Sequence, residues 1–229
     1  MVKVKDKKPT ELTIYDDNTG DVLAVYPSEM VETLQNTVAK NSTKSELIMF
    51  LSIANKYGLD PFLKEIWFIK YKNDPMIMTS RDGFVKIVKQ NPHFVKIVSD
   101  VVCENDDFQM QWEGMDIKTF THTHSANERG EVIGAWAGIR MTNWNTDLIV
   151  YVDRKEYDKK TQIWKTYTSS MIRKVAEKEV CRLAGNISGL HTPEEMGEEY
   201  SLDYSKDKIV EQKQTTQKDV VDVDVLKKE

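Results

Sequence analysis

The 229-residue chain holds only two cysteines, Cys103 and Cys181, far apart and without a second pair. That excludes a secreted disulfide framework and favours free thiols in a reducing compartment. No apolar run approaches the roughly 20 residues of a membrane span. The start, Met1 to Pro9, is basic but has no apolar core, so no signal peptide is expected and the chain reads as soluble and cytoplasmic. None of the ten glycines is followed by lysine. The Gly-x-x-x-x-Gly-Lys phosphate loop is therefore absent, and ATP hydrolysis by that loop with it. Positive charge is not in excess either, since 32 Lys and Arg face 37 Asp and Glu. No Ser-His-Asp or Cys-His grouping suggests a nucleophile.

What is present is a core-forming composition, 40% hydrophobic with five Trp, nine Tyr and seven Phe, and charge sorted into blocks. Residues 56–96 carry eight basic and four acidic residues, and residues 140–182 ten and six. Residues 97–139 carry two basic and eight acidic, and residues 194–229 six and eleven. A polyanion footprint depends on where cations cluster as much as on their total. The net charge of −5 thus leaves nucleic acid open as a ligand. Arg81 in the first block, and Arg154 and Lys155 in the second, are candidate phosphate contacts.

Local patterns divide the chain. Alternating apolar residues around Asp16-Asp17-Asn18-Thr19-Gly20 predict a hairpin over 11–26, followed by a helix from Ser28 to about Lys40. Thr43 and Glu46 have capping-box spacing, with Leu47, Phe50, Leu51 and Ala54 on one helical stripe and Gly58 as a left-handed stop before Pro61. Strands at 65–71 and 75–79 and a helix from Ser80 follow. Strand character then recurs at 94–103, 107–112, 116–123, 132–141 and 147–152. A short helix is expected over Arg154–Lys159, a long one over 168–184 stopped by Gly185, and a last short one after Thr192-Pro193. The domain expectation is a hairpin arm over 1–27, a core over 28–200 and an acidic, disordered tail over 201–229.

Several features carry chemistry. In the 168–184 helix, Lys174, Lys178 and Arg182 recur every four residues with Arg173 beside them, a spacing that can follow phosphates or simply form a solvated face. Trp67, Phe68 and Tyr71 can stack bases, but the alternation favours Trp67 and Ile69 in the core and Phe68 under a helix, leaving Lys64 and Lys70 for phosphate. His122 and His124 share a strand face at a zinc-compatible spacing. No further ligands complete a site, so an exposed face is expected and no metal. Asp153 with Asp158-Lys159-Lys160 loosely fits a metal-dependent nuclease.

The ordered set Asn55-Lys56-Tyr57-Gly58-Leu59-Asp60-Pro61-Phe62, Lys64-Glu65-Ile66, Asp82-Gly83-Phe84, Trp164, Met171-Ile172-Arg173-Lys174 and Arg182-Leu183-Ala184 resembles the RecT/Redβ (Bet) family of phage single-strand annealing recombination proteins. The Redβ branch is the nearer one, and the resemblance runs over roughly residues 30–200. It implies an α+β fold, with a small antiparallel β-sheet packed with several α-helices, a basic DNA groove and subunits oligomerising side by side in rings or helical filaments. It also implies annealing of complementary strands without ATP, in phage-type homologous recombination, by a DNA-binding protein that is no enzyme and has no cofactor.

The implied partners are single-stranded DNA, annealed duplex, further copies of the chain, a phage 5′–3′ exonuclease and a host single-strand-binding protein, in the cytoplasm of a bacterial host. By position, Lys40, Lys64, Lys72, Arg173 and Arg182 stand where the family contacts DNA, with Lys174 adjacent. Ser169-Ser170 and Val175 replace basic residues of the Redβ pattern, and residues beyond 200 are too few for that branch's C-terminal helical domain. Two other readings remain: a metal-dependent nuclease using Asp153 and Asp158, and a module that coats single strands without annealing them.

Overall fold

In a computed structural model the described residues are 11–193, apart from 16–18, 21, 72, 115 and 126. Lys72, the helix expected after Thr192-Pro193 and the acidic tail lie outside them. The first hairpin pairs β1 (Leu12–Tyr15) with β2 (Val22–Tyr26), Leu12 opposite Tyr26. Alternation turns Leu12 and Ile14 into the same apolar cluster as Phe50. The next helix, α1 (Ser28–Asn36), stops four residues short of the expected Lys40. The cause is tertiary: the Val38 carbonyl accepts a hydrogen bond from the Phe68 amide, 2.8 Å away, which draws the chain off the helical path. It starts at Ser28 as expected, with Pro27 at its N-cap.

Helix α2 (Lys44–Tyr57) has the expected capping box, the Thr43 amide donating to Glu46 Oε2 at 2.6 Å and the Glu46 amide to Thr43 Oγ1 at 3.3 Å. Gly58 ends it at φ 62°, where a side chain would be strained. Strands β3 (Ile66–Tyr71) and β4 (Asp74–Thr79) form a hairpin with Ile66 opposite Thr79. The core phase of β3 is the reverse of that expected: Ile66 and Phe68 are buried, and Trp67 and Ile69 only partly. Phe68 does lie under a helix, edge-on to Phe50 of α2 at 6.5 Å. Helix α3 (Arg81–Lys89) starts at Ser80, whose hydroxyl accepts from the Gly83 amide.

A three-stranded antiparallel sheet in the order β5 (Phe94–Cys103), β8 (Val132–Met141), β9 (Leu148–Asp153) is the scaffold for the remainder. Between its first two strands a third hairpin is inserted, β6 (Asp107–Glu113) with β7 (Asp116–Thr123). Two short helices, α4 (Arg154–Tyr157) and α5 (Gln162–Thr166), lead into α6 (Thr168–Ala184). Helix α5 has no counterpart among the sequence expectations, because five residues are too few to show helical periodicity. Together these are six helices and small antiparallel sheets among the described residues, an α+β architecture.

Each face of the three-stranded sheet is covered differently. Ala135, Ala137 and Ile139 of β8 are fully buried on the face that meets α6, which contributes Ile172, Val175, Ala176 and Val180. The small side chains of β8 let the helix approach, and each large apolar residue buried there stabilises the fold by about 1.5–3 kcal/mol. The opposite face carries Trp136 and Tyr151, and the β6–β7 hairpin lies over it. Phe120 meets Trp136 edge-on at 4.7 Å and Phe108 stacks on Tyr151 at 5.3 Å. Among the described residues no helix is long and apolar enough to cross a membrane.

Candidate nucleic-acid interface

Helices α3 and α6 pack together, and the start of each brings cations to one groove of about 400 Å³. Arg81 comes from the first residue of α3, Arg173 and Lys174 from the second turn of α6, and Ser170 and Met171 line the wall between them. Ninety-two residues of sequence separate Arg81 from Arg173, so only the α3–α6 contact unites them.

One carboxylate, Glu177, faces these three cations. It pairs with Arg81 Nε at 3.1 Å and more loosely with Arg173 Nε at 3.9 Å, and it accepts a hydrogen bond from Ser99 Oγ of β5. Glu177 thus anchors the guanidiniums while leaving the groove with an excess of positive charge. Arg81 also meets Asp82 at 3.2 Å. Arg173 remains 49% exposed, and among the described residues no ion pair holds Lys174.

Two exposed apolar side chains complete the groove: Ile163 of α5, and Tyr167 in the joint between α5 and α6, where φ −124° and ψ 39° break the helical path. Tyr167 is 62% exposed. A ring held open to solvent among cations has the composition of a single-strand platform, where bases stack and phosphates pair. Sequence reading missed Tyr167 and Ile163, and saw Glu177 only as a partner for Arg173 on a solvated helix face, not as the link to Arg81. Only the aromatic between two polar, capping-type residues, Thr166 and Thr168, hinted at the joint.

The other expected contacts are dispersed or already engaged. The ridge of Lys174, Lys178 and Arg182 does not form one exposed face, which corrects the expectation for Lys178. That residue is buried, 3% exposed, and paired with Glu179 at 2.8 Å. Helix α6 is covered by the sheet on one side and α3 on another, so the i+4 step from Lys174 leads inward. Arg182 donates to the Leu190 carbonyl at 3.0 Å and lies over the Phe84 ring at 5.4 Å, tying the chain after α6 to α3. Arg154 braces the corner after β9, bonded to the Val132 carbonyl and to Asp158.

Lys155 is exposed beside Arg154. Lys40 is exposed on the turn after α1, and Lys64, exposed at φ 57°, on the turn before β3; neither lines the groove. Lys70 is drawn to Glu46 at 3.0 Å.

The carboxylates of the nuclease reading have structural partners. Asp153 accepts from the Lys155 amide as the cap of α4, and Asp158, 3% exposed, bonds Arg154 and Lys160. The expected exposed face is corrected at His122, because the hairpin folds onto the sheet, whereas His124 is exposed as expected. His122 is 4% exposed and accepts from the Trp136 indole, and His124 meets Asp100.

Among known proteins, the pattern of the RecT family matches residues 25–215. The chain is 24% identical over 180 residues to the recombination protein bet of Escherichia phage lambda, an alignment that covers 75% of this chain. It spans 59% of that relative's length.

Proposed function

Because the chain belongs to the RecT family, we propose that it binds single-stranded DNA and anneals complementary strands in phage-type recombination, without hydrolysing ATP. The observation that carries this reading is the convergence of Arg81, Arg173 and Lys174 from two helices beside the exposed ring of Tyr167. The cations neutralise phosphates, which lowers the repulsion between two strands. Backbone contacts position DNA without reading it, so base pairing supplies the specificity. Self-association adds weak contacts along the strand; exposed cations outside the groove, Lys40, Lys64 and Lys155, extend the path there. Ser169 and Ser170, exposed at the start of α6 where the Redβ pattern is basic, shift the weight of phosphate binding onto Arg81 and Arg173.

The test is an annealing assay with two complementary oligonucleotides, one labelled, without nucleotide. A faster gain of duplex than in buffer, reduced by Arg173→Ala and Tyr167→Ala, is the expected result. Binding of each strand without acceleration indicates a coating module instead. Shortening of the labelled strand with magnesium indicates a nuclease.

A further inference from the structure

His122 near the end of β7 and His124, the residue just beyond it, lie side by side, and the fold brings Asp100 of β5 to them. Asp100 Oδ2 lies 2.8 Å from His124 Nε2 and 3.9 Å from His122 Nδ1. One ligand-capable atom from each of the three residues falls within 4.8 Å of the others. Asp100 precedes the pair by more than 20 residues. Its approach depends on the β6–β7 hairpin folding back over the sheet, so no sequence spacing announces it.

The hydrogen bonds around the rings define which nitrogens carry lone pairs. The Trp136 indole N–H can only donate, and it lies 2.9 Å from His122 Nδ1. That nitrogen is therefore an acceptor, and the opposite Nε2–H donates to Asp106 Oδ2 at 3.0 Å. Asp106 is fully buried; bonds from Arg129 at 2.7 and 2.9 Å hold its carboxyl far below the usual range, with help from the Cys103 amide and His122. A carboxylate behind an imidazole is the partner that orients metal-ligating histidines. His124 Nδ1 lies 3.3 Å from the Ser125 carbonyl, which can only accept. The shorter contact is the one to Asp100, where the ring Nε2–H donates to Oδ2 at 2.8 Å; a metal ion would take the place of that proton, with Nδ1–H then donating to the Ser125 carbonyl.

We propose that Asp100, His122 and His124 form a binding site for a divalent transition-metal ion of the zinc class. Two imidazoles with one carboxylate suit zinc or cobalt better than magnesium or calcium. The side chains of His124 and Asp100, 29% and 33% exposed, leave the site open to solvent, from which water supplies the remaining coordination. Arg129 Nη2, 4.0 Å from Asp100, is the one cation nearby among the described residues, and Asp106 balances it. Ligation by His122 Nδ1 replaces its bond from Trp136, so metal entry is coupled to the indole. The ion staples the inserted hairpin to β5, independently of the DNA groove.

The experiment uses the full chain, stripped with chelator and titrated with zinc by equilibrium dialysis. Saturation near one ion per chain at micromolar free zinc is expected, with a rise in Tm of about 5–10 °C at hundredfold excess over Kd. Tryptophan fluorescence changes in parallel, and Trp136→Phe removes that change while still binding zinc. His124→Gln and Asp100→Asn weaken binding at least about tenfold, whereas His93→Gln leaves it intact. No saturable binding, or wild-type stoichiometry and affinity in both ligand variants, overturns the proposal. If neither ligand variant folds, cobalt decides on the wild type: a visible absorption band of tetrahedral N/O ligation supports the site, and its absence overturns it.

Discussion

Replacing Arg173 by Ala separates a DNA contact from a folding contact. Arg173 is 49% exposed and its one ion pair among the described residues, to Glu177, is loose at 3.9 Å. Exposed pairs contribute about 0–1 kcal/mol, so Tm should fall by less than about 4 °C in a chain of this size. Binding should respond more strongly. Each phosphate neutralised on a single strand adds about 0.7 to the slope of log affinity against log salt, or about 2.6-fold between roughly 50 and 200 mM. Three groove cations then account for about a 20-fold loss over that range, and Arg173→Ala should reduce it to about 7-fold. The assay is fluorescence anisotropy with a labelled oligothymidylate at several salt concentrations, alongside thermal unfolding. Lys178→Met is the contrast, because a buried lysine contributes to folding and not to phosphate binding. It should shift Tm and leave the salt slope unchanged. An unaltered slope for Arg173→Ala, or an equal drop for Lys178→Met, would refute the assignment of the groove to α3 and the start of α6.

Other consequences concern the scaffold. Arg129→Met strands the fully buried Asp106 carboxylate and should cost about 3–5 kcal/mol, measured by urea unfolding at neutral pH. Because the folded state depresses the Asp106 pKa, its contribution is complete above about pH 4, the unfolded value, and is lost as pH falls through the lower folded one. Wild-type Tm should therefore drop on acidification below about pH 4, and less so in Asp106→Asn; equal drops would exclude Asp106 as the cause. A Cβ at Gly134 would lie 2.5 Å from the Val152 carbonyl, so Gly134→Ala should part β8 from β9 and lower Tm sharply by circular dichroism. Burial, then Glu177, pushes the Cys181 thiol up to about 12, and burial raises Cys103 as well. Native protein should resist a thiol-specific disulfide reagent at neutral pH and react at both cysteines once unfolded.

Much of the fold is legible along the chain where the local signal is strong. Strand character locates Phe94–Cys103 and Val132–Met141, and apolar spacing with a glycine stop locates Thr168–Ala184. The Thr43–Glu46 capping box and the left-handed Gly58 match because both are settled within a few residues. Signals fail where a distant partner decides. The β3 hydrogen bond from Phe68 ends α1 early, and the packing of α2 selects Phe68 over Trp67 for the core. Helical spacing places Lys174 and Lys178 on one face, yet α6 is covered on two sides, so its exposed strip is narrower than a helical wheel suggests.

By itself the sequence determined the order and type of most elements, the blocks of charge and the motifs that the RecT family shares. These depend on neighbours within a few residues, or on the count of charges, and need no knowledge of packing. Tertiary structure alone decided which cations meet. Arg81 joins Arg173 because α3 lies against α6, Lys178 and Arg182 turn to internal partners, and Asp100 reaches two histidines because a hairpin folds over a sheet. Side chains converge through the contacts of the elements that carry them, and those contacts span tens of residues that local periodicity does not see.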